Sequence, residues 1–275
     1  MTLRFAVIGD PIAQSLSPTI HNAFARQFGI DLSYQRQRVT VEQFDDEVNE
    51  FFASGGRGLN VTVPHKARAF EYADLRTDRA LNAGAANTLQ FLDHDVVLAD
   101  NTDGAGLIAD LRFHGVSLLN KRVLLLGAGG AARGSLGAIL AEMPSAVFIH
   151  NRTVSRAETL IERVARLGDV RLIDSVTAAA EPMDVIINAT SASLHGHQPD
   201  IDPAWLRDAV CYDMMYGDAA QPFLKWALAQ GAHAAHDGLG MLIEQAAEAF
   251  WVWHEVRPDT ASVRDTLMAS QPRRR

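Results

Sequence analysis

The first hundred residues alternate between short apolar runs and stretches whose apolar positions recur at helical spacing. Short runs bounded by Gly, Pro or Asp are typical of strands, and the longer periodic stretches are typical of helices. The elements predicted from this pattern are strand 4–9, helix 17–29, strand 32–39, helix 41–53, strand 59–63 and a hairpin over 87–98. This order is typical of an α/β domain.

From Asp103 onward the repeating units become longer and more regular. The predicted strands are 122–126, 146–150, 170–173, 184–188 and 210–213, and the predicted helices are 104–114, 130–142, 153–167, 221–230 and 239–254. Strand and helix alternation at this spacing predicts a parallel, doubly wound sheet with right-handed crossovers. We therefore predict an α/β protein with an N-terminal α/β domain (1–102 plus 239–275), a Rossmann domain (103–238) and a cleft between them.

Composition and charge narrow the possible classes of function. Hydrophobic residues make up 48% of the 275, charged residues 21%, and the net charge is −8, so the chain can bury a core but has no basic face for nucleic acid. No apolar run reaches the roughly 18 residues that span a bilayer. The single cysteine, Cys211, favours a reducing, cytoplasmic location. We expect a small-molecule ligand, no nucleic-acid or membrane partner, and a monomer or homodimer.

A glycine-rich turn after strand 122–126 indicates a dinucleotide site. Its residues are Gly127, Ala128, Gly129, Gly130, Ala131 and Ala132, which match the fingerprint G-x-G-x-x-G/A. Gly127 allows the tight turn, Gly129 lets the backbone approach a pyrophosphate, and Ala132 permits close packing of the helix on the strand. The N-terminus of the following helix offers unpaired N–H groups to the phosphates.

The end of the next strand, 146–150, indicates which dinucleotide binds. An NAD site carries an Asp or Glu here for the ribose hydroxyls, but this chain has Asn151, Arg152 and Thr153, followed by Arg156. Guanidinium groups can hold a ribose 2′-phosphate through charge-assisted hydrogen bonds. Two solvated arginines near a helix start are the structural alternative. Because they follow the glycine fingerprint, we predict NADP.

Four polar segments lie at predicted strand ends or in loops, where binding sites are usually built. They are Gln14-Ser15-Leu16-Ser17-Pro18, Asn60-Val61-Thr62-Val63-Pro64-His65-Lys66, Ala85-Ala86-Asn87-Thr88-Leu89 and Asp100-Asn101-Thr102-Asp103-Gly104. Each also has a purely structural interpretation. Ser17 and Asp103 could be helix N-caps, Lys66 a surface lysine, and Asn60 and Asn87 amides that bond to turns.

Taken together, the segments resemble the shikimate dehydrogenase family, and the resemblance covers essentially the whole chain. Further matching segments are the glycine turn, Asn151-Arg152-Thr153, Asn188-Ala189-Thr190-Ser191, Asp213-Met214-Met215-Tyr216 and Gly238-Leu239-Gly240-Met241-Leu242. The order and spacing of the set agree with the family. Two positions depart from its common pattern, Gln14 in place of a histidine and Ser193 in place of a glycine.

The resemblance implies roles for individual residues. Lys66 and Asp103 match the family's catalytic pair. The residues that it implies for the substrate are Ser15 and Ser17 at the carboxylate, Asn60, Thr62, Asn87 and Gln245 at the ring hydroxyls, and Tyr216 in the lining of the same pocket. The residues that it implies for NADP are Gly127, Ala128, Gly129, Gly130, Ala131, Asn151, Arg152, Thr153, Arg156, Thr190, Met214 and Gly238. The N-terminal domain then binds the substrate and the Rossmann domain binds the cofactor.

The activity implied is the NADPH-dependent, reversible reduction of 3-dehydroshikimate to shikimate, a step toward chorismate and the aromatic amino acids. Two alternatives stay open: a quinate/shikimate dehydrogenase that uses the same site, and a non-catalytic NADP-binding regulator. The retention of both Lys66 and Asp103 argues against the regulator. His195 and His197 lack a third ligand at suitable spacing, so we predict a solvated loop there and no metal.

Overall fold

The computed structural model describes residues 2–173, 182–190 and 198–270, and the chain divides into two compact units. The first unit comprises residues 1–106 and 242–275, and the second comprises residues 107–241. The limits predicted from the sequence, 102 and 238, differ from these by a few residues. The difference matters for Asp103, which lies in the first unit and not, as predicted, in the second.

The strands account for the apolar runs of the sequence. They are β1 (Leu3–Gly9), β2 (Leu32–Arg38), β3 (Gly56–Val61), β4 (Leu75–Arg76), β5 (Thr88–Phe91), β6 (Val97–Asp100), β7 (Arg122–Leu126), β8 (Ala146–His150), β9 (Val170–Leu172), β10 (Val185–Asn188), β11 (Val210–Asp213) and β12 (Ala234–Asp237). The strand predicted over 59–63 begins earlier, at Gly56, and ends at Val61.

The helices of the described residues follow the periodic stretches. They are α1 (Ser17–Gln27), α2 (Phe44–Ala53), α3 (Lys66–Tyr72), α4 (Asp78–Ala83), α5 (Asp103–Phe113), α6 (Gly130–Ala141), α7 (Val154–Val164), α8 (Gln221–Ala229), α9 (Leu239–His254) and α10 (Ala261–Ser270). Five elements were not predicted from the sequence: α3, β4, α4, β12 and α10. None of the described helices is long and apolar enough to span a membrane.

The first unit is built on a mixed six-stranded sheet in the order β2-β1-β3-β5-β6-β4. β1 pairs in parallel with β2 and β3, and β5 pairs antiparallel with β3 and β6. Helix α9 packs on this sheet, as predicted for the C-terminal helix. Its Trp253 Nε1 donates to Leu89 O at 3.0 Å, and a Cβ at Gly58 would lie 2.4 Å from that same nitrogen. A glycine in β3 therefore lets α9 approach the strand.

The second unit is the predicted doubly wound sheet, with six parallel strands in the order β12-β11-β10-β7-β8-β9. Alternate residues of each strand enter the cores on opposite faces. Val123 and Leu125 pack with one core, and Leu124 and Leu126 with the other. The order reverses between β7 and β10, and ligands of such sheets bind outside the carboxyl ends of the strands at this point.

One predicted feature lies outside the described residues: the solvated loop with His195 and His197, together with the neighbouring Ser193. Cys211 is a buried core thiol, and burial raises its pKa to about 12.

Candidate active site

An ion pair between Lys66 and Asp103 is the centre of the first unit's polar cluster. Lys66 is the first residue of α3 and Asp103 the first residue of α5. Lys66 Nζ lies 2.5 Å from Asp103 Oδ2, and the two side chains are 16% and 7% exposed. The pair is therefore largely withdrawn from solvent, where its charges act strongly on a nearby reacting group. Lys66 is not the free surface lysine of the structural alternative.

The backbone on either side of Lys66 is held by neighbouring segments. His65 Nε2 lies 2.7 Å from Val39 O, so this nitrogen carries the proton and donates to the carbonyl. Ala86 N donates to Lys66 O at 2.8 Å. These contacts fix the point from which the lysine side chain extends.

Asn87 joins the ion pair to α9. Its Nδ2 lies 2.9 Å from Asp103 Oδ1 and 3.2 Å from Gln245 Oε1. Its Oδ1 accepts the Thr102 N–H at 2.9 Å, which sets the orientation of the amide. Asp103 thus accepts an N–H donor on each carboxylate oxygen, and the structure brings Lys66, Asp103, Asn87 and Gln245 together as one network.

Asn101 supports the same network and was not singled out from the sequence. Its Oδ1 accepts the Asp103 N–H at 3.2 Å and its Nδ2 donates to Ala85 O at 2.9 Å. Asn101 is buried. It therefore ties the start of α5 to the segment before Asn87. The run Asn101-Thr102-Asp103 was noted as polar, but its separate roles become visible only in the contacts.

Asn60 extends the network toward β2 through Tyr34, a second residue that sequence analysis missed. Tyr34 Oη donates to Asn60 Oδ1 at 2.6 Å, and Asn60 Nδ2 lies 3.2 Å from both Asn87 O and Thr88 Oγ1. Burial raises the pKa of Tyr34 well above its usual value, with a hydrogen bond to Ser17 acting in the opposite direction. The alternation of β2, which puts Tyr34 on the same face as Arg36 and Arg38, was the available signal.

Ser15 and Ser17 form a hydroxyl pair at the start of α1. Ser15 Oγ lies 3.2 Å from Ser17 Oγ and also accepts the Ser17 N–H at 3.3 Å. Helix α1 begins at Ser17 itself, and Leu16 occupies the N-cap position without a side-chain cap. The prediction that Ser17 caps the helix is therefore wrong. Its hydroxyl belongs to the network, because Ser17 contacts both Ser15 and Tyr34.

Thr62 follows β3 directly and lies against the end of β1. Its N–H donates to Ile8 O at 3.0 Å. A Cβ at Gly9 would lie 2.5 Å from Thr62 Cγ2, so Gly9 leaves the space that this side chain fills. Thr62 is half-buried, next to the segment that leads to Lys66.

The glycine turn lies at the switch point of the second unit. Gly127 has a φ of +102°, and a Cβ on it would lie 3.1 Å from Thr190 Cγ2 and 3.2 Å from Ala189 O. The next glycine, Gly129, is the N-cap of α6 and makes no side-chain cap, and nothing lies within 4 Å of the place its Cβ would occupy. The turn is therefore closed toward Thr190 and open at the helix N-terminus.

The residues after β8 are polar and solvent-facing. Asn151 Nδ2 donates to Thr153 O at 2.7 Å, closing a short turn before α7. Arg152 and Arg156 are exposed, and no ion pair to either is found within residues 2–173, 182–190 and 198–270. The nearest carboxylate along the chain is Glu158. Two guanidinium groups are thus available for an anion at this strand end.

Side chains connect the ends of β10, β11 and β12. Asn188 Nδ2 donates to Asp213 Oδ2 at 3.0 Å, and Asn188 Oδ1 accepts from Thr190 Oγ1 at 2.7 Å. A Cβ at Gly238 would lie 2.4 Å from Met214 O. Gly238 is therefore required for the close approach of the segment after β12 to the segment after β11.

Tyr216 lies in the second unit, just before a short 3₁₀ turn at Gly217–Ala219. Burial raises the pKa of its hydroxyl above the usual value. The other residues predicted to bind the substrate all belong to the first unit.

Family models match three consecutive parts of the chain. The shikimate dehydrogenase substrate binding domain matches residues 7–89, shikimate / quinate 5-dehydrogenase matches residues 108–215, and the shikimate 5'-dehydrogenase C-terminal domain matches residues 238–268. Among similar curated proteins, the shikimate dehydrogenase (NADP(+)) of Aeromonas hydrophila is 51% identical over 94% of this chain and 95% of its own length. That of Alkalilimnicola ehrlichii is 51% identical over 96% and 97%.

Solved structures agree with these matches. An Ael1 enzyme from Pseudomonas putida superimposes with a TM-score of 0.91 at 42% identity, covering 97% of this chain and 98% of its own. The shikimate 5-dehydrogenase of Thermus thermophilus, in complex with NADP(H) and shikimate, has a TM-score of 0.86 at 29% identity, covering 98% and 99%. A 5-ketofructose reductase of Gluconobacter has a TM-score of 0.83 at 28% identity over 98% and 99%.

Proposed function

The chain belongs to the shikimate dehydrogenase family, and from this premise we propose how its residues carry out the NADPH-dependent, reversible reduction of 3-dehydroshikimate to shikimate. The observation that carries the proposal is the largely buried pair of Lys66 and Asp103, 2.5 Å apart, in contact with the amides of Asn87 and Gln245 through one network.

Lys66 acts on the oxygen of the substrate's ketone. Bound NADPH supplies the hydride that reduces the carbonyl carbon. Negative charge then develops on the oxygen, and the ammonium of Lys66 stabilises it and donates, or relays, a proton to it. Asp103 holds Lys66 by its Oδ2 and is itself held by Asn87. The carboxylate thereby orients the ammonium and the substrate hydroxyl beside the reacting oxygen.

The remaining polar residues of the first unit bind the substrate. The hydroxyls of Ser15 and Ser17 hold the carboxylate, since two donors 3.2 Å apart suit two carboxylate oxygens. The ring hydroxyls bind to Asn60, Thr62, Asn87 and Gln245. Side-chain amides serve this purpose because a site built to bond hydroxyls rejects analogues that lack them. We also assign Tyr216 to the binding of the substrate.

The second unit fits NADP. Gly129 leaves open space in front of the α6 N-terminus, whose N–H groups and positive dipole end favour the pyrophosphate. We assign the pyrophosphate to residues 127–131, the adenosine ribose phosphate to Asn151, Arg152, Thr153 and Arg156, and the remaining contacts to Thr190, Met214 and Gly238. Among the described residues no carboxylate pairs with Arg152 or Arg156, and their positive charge suits a 2′-phosphate better than a free ribose hydroxyl.

Replacing Arg152 by Ala should raise the KM for NADPH about tenfold, the effect of losing one charge-assisted hydrogen bond, and change the KM for NADH less than about twofold. Steady-state kinetics at saturating 3-dehydroshikimate measure both values. Arg163→Ala is the matched control, because Arg163 is an exposed arginine in the last turn of α7, the helix that follows Arg152. Equal losses for NADPH and NADH would remove the 2′-phosphate role.

The proposed reaction is tested by following the reduction of NADP⁺ with shikimate and, separately, with quinate. We expect turnover with shikimate and a kcat/KM at least about tenfold lower with quinate, whose additional ring hydroxyl has no assigned partner. A kcat/KM for quinate equal to that for shikimate would support the quinate/shikimate dehydrogenase, which the name of one matching family model includes. No turnover with either would support the non-catalytic regulator.

We further propose a cytoplasmic location and a monomer or homodimer as the working form. The location is supported by the one cysteine, which is unpaired and buried, as suits a reducing compartment. Sedimentation of the purified protein gives the oligomeric state directly.

A further inference from the structure

Strand β2 carries three long polar side chains on one face, at Tyr34, Arg36 and Arg38, because alternate residues of a strand point the same way. Each contacts the segment between β1 and α1 or the site beside it. Tyr34 bonds to Asn60, Arg36 Nε donates to Ser15 O at 2.7 Å, and Arg38 Nε donates to Asp10 Oδ1 at 2.8 Å. This face of β2 therefore supports the segment that carries the two serines.

The two arginines have different partners. Arg38 forms an ion pair with Asp10, and its hydrogen bond lowers the pKa of that carboxyl, so these two charges compensate each other. Arg36 makes its bond to a neutral backbone carbonyl. Among the described residues no carboxylate pairs with Arg36, and its side chain is exposed. Its positive charge is thus uncompensated directly beside Ser15.

An anionic substrate needs such a charge. The chain has a net charge of −8, which repels anions at long range. The hydroxyls of Ser15 and Ser17 are neutral donors, and the ammonium of Lys66 is paired with Asp103. The guanidinium of Arg36 is bonded through Nε to the backbone carbonyl of Ser15, the residue that carries the first of the two hydroxyls.

We propose that Arg36 is a specificity-determining residue whose guanidinium attracts and holds the substrate's carboxylate at Ser15 and Ser17 while its Nε fixes the Ser15 backbone. This inference rests on the proposed function, in which those two serines bind the carboxylate. Under this proposal, Arg36 is the residue that makes the enzyme prefer a substrate with a free carboxylate over the uncharged ester of the same substrate. The proton and hydride steps at Lys66 are unaffected by it.

The test replaces Arg36 by Gln and compares shikimate with its methyl ester. With shikimate, kcat/KM should fall about five- to tenfold, mainly through KM, as expected for loss of one partly screened charge interaction. With the ester, kcat/KM should change less than about twofold. Arg36→Lys retains the charge and should recover most of the loss with shikimate. Added salt should raise the KM of the wild type for shikimate more than that of Arg36→Gln.

Arg26→Gln is the matched control, because Arg26 is an exposed arginine in the last turn of α1, also close to β2, and no hydrogen bond from it to the Ser15 segment is found among the described residues. Arg26→Gln should leave kcat and KM unchanged for shikimate and for its methyl ester. If Arg36→Gln lowers kcat/KM equally for acid and ester, or if Arg36→Lys is as impaired as Arg36→Gln, the residue has only a structural role and the proposal is overturned.

Ser15→Ala separates this inference from the function on which it rests. If Ser15→Ala raises the KM for shikimate while Arg36→Gln does not, the charge role of Arg36 is overturned and the carboxylate site remains. If Ser15→Ala leaves the KM unchanged, the assignment of the carboxylate site itself fails, whatever Arg36→Gln does.

Discussion

Replacing Lys66 by Ala is expected to lower kcat by about 10²-fold or more, which corresponds to about 2.7 kcal/mol of lost transition-state stabilisation. The ammonium is the one cation that contacts Asp103, at 2.5 Å, among the described residues. Without it, no positive charge balances the oxygen as the ketone is reduced, and Asp103 is left as a largely buried carboxylate whose remaining contact is the Asn87 amide. The glycine turn lies in the other unit, so the dissociation constant of NADPH should change less than about twofold.

Steady-state kinetics in both directions give kcat and KM, and fluorescence titration gives the affinity for NADPH. The chain has two further lysines, Lys121 and Lys225, and Lys225 is exposed on α8. Lys225→Ala is therefore the control for loss of a lysine, and its kcat should equal that of the wild type. If Lys66→Ala raises KM but leaves kcat within about threefold, Lys66 binds the substrate and has no part in the chemical step.

The sequence predicts the second unit well because its signals are local. Strand β10 begins with three consecutive buried apolar residues, Val185, Ile186 and Ile187, as expected for a parallel sheet buried on both faces. The glycine turn marks the link from β7 to α6. Strand β12 is the exception: its residues Ala234–Asp237 include no β-branched or large apolar side chain and are only half-buried. Its position depends on pairing with β11, which no local pattern records.

The short elements of the first unit were not predicted for the same reason, since no local sequence pattern marks them. Helix α3 buries Ala69 alone among its residues, so it has no apolar stripe by which periodicity could detect it. Strand β4 consists of two residues that pair with β6. These elements are stabilised by contacts that are distant in the sequence. The consequence for the site is direct, because α3 begins at Lys66 and its position decides where the ammonium lies.

The candidate site itself could be predicted as a set of segments, not as a network. The resemblance to the family indicated Lys66, Asp103 and Asn87, which the structure joins by hydrogen bonds. The alternation of β2 places Tyr34 beside the arginines but does not decide its contribution, because a tyrosine in an alternating strand equally suits a purely apolar core position. The buried hydroxyl bonds to Asn60, 26 residues away along the chain, and only the pairing of the sheet brings the two side chains together.

His21 shows a further consequence of this packing. Its ring is fully buried and stacks on Tyr34 with the centroids 4.4 Å apart, next to Trp253 of α9. Burial, and secondarily the charge of nearby His254, lower the pKa of His21 to about 3. Asn60 is close enough to offset a little of this shift, but neither ring nitrogen has a hydrogen-bond partner of acceptable geometry. The folded first unit therefore contains His21 as a neutral ring.

Lowering the pH should consequently destabilise the first unit, and this should begin at pH values higher than those at which carboxylates take up protons. Between pH 6.5 and 3 the unfolded chain binds a proton at His21 that the folded chain does not, so the free energy of unfolding falls as the pH falls. The full contribution is present above about pH 6.5, and from there to pH 5 the loss from His21 is about 2 kcal/mol. His254, whose pKa is lowered to about 4 by burial, acts in the same direction. Urea unfolding at pH 7, 6 and 5, followed by tryptophan fluorescence, measures the slope.

The variant His21→Phe retains an aromatic ring beside Tyr34 but removes the titrating group. Between pH 7 and pH 5 the slope of its free energy of unfolding against pH should be smaller than that of the wild type, by at most about 1.4 kcal/mol per pH unit. His21→Gln serves as a second variant, since the argument concerns the slope with pH and not the absolute stability, which either substitution can lower. His233→Gln, at an exposed histidine after α8, should reproduce the wild-type slope. A slope that is the same in the wild type and in both His21 variants would mean that the buried ring accepts a proton in the folded protein as readily as in the unfolded chain.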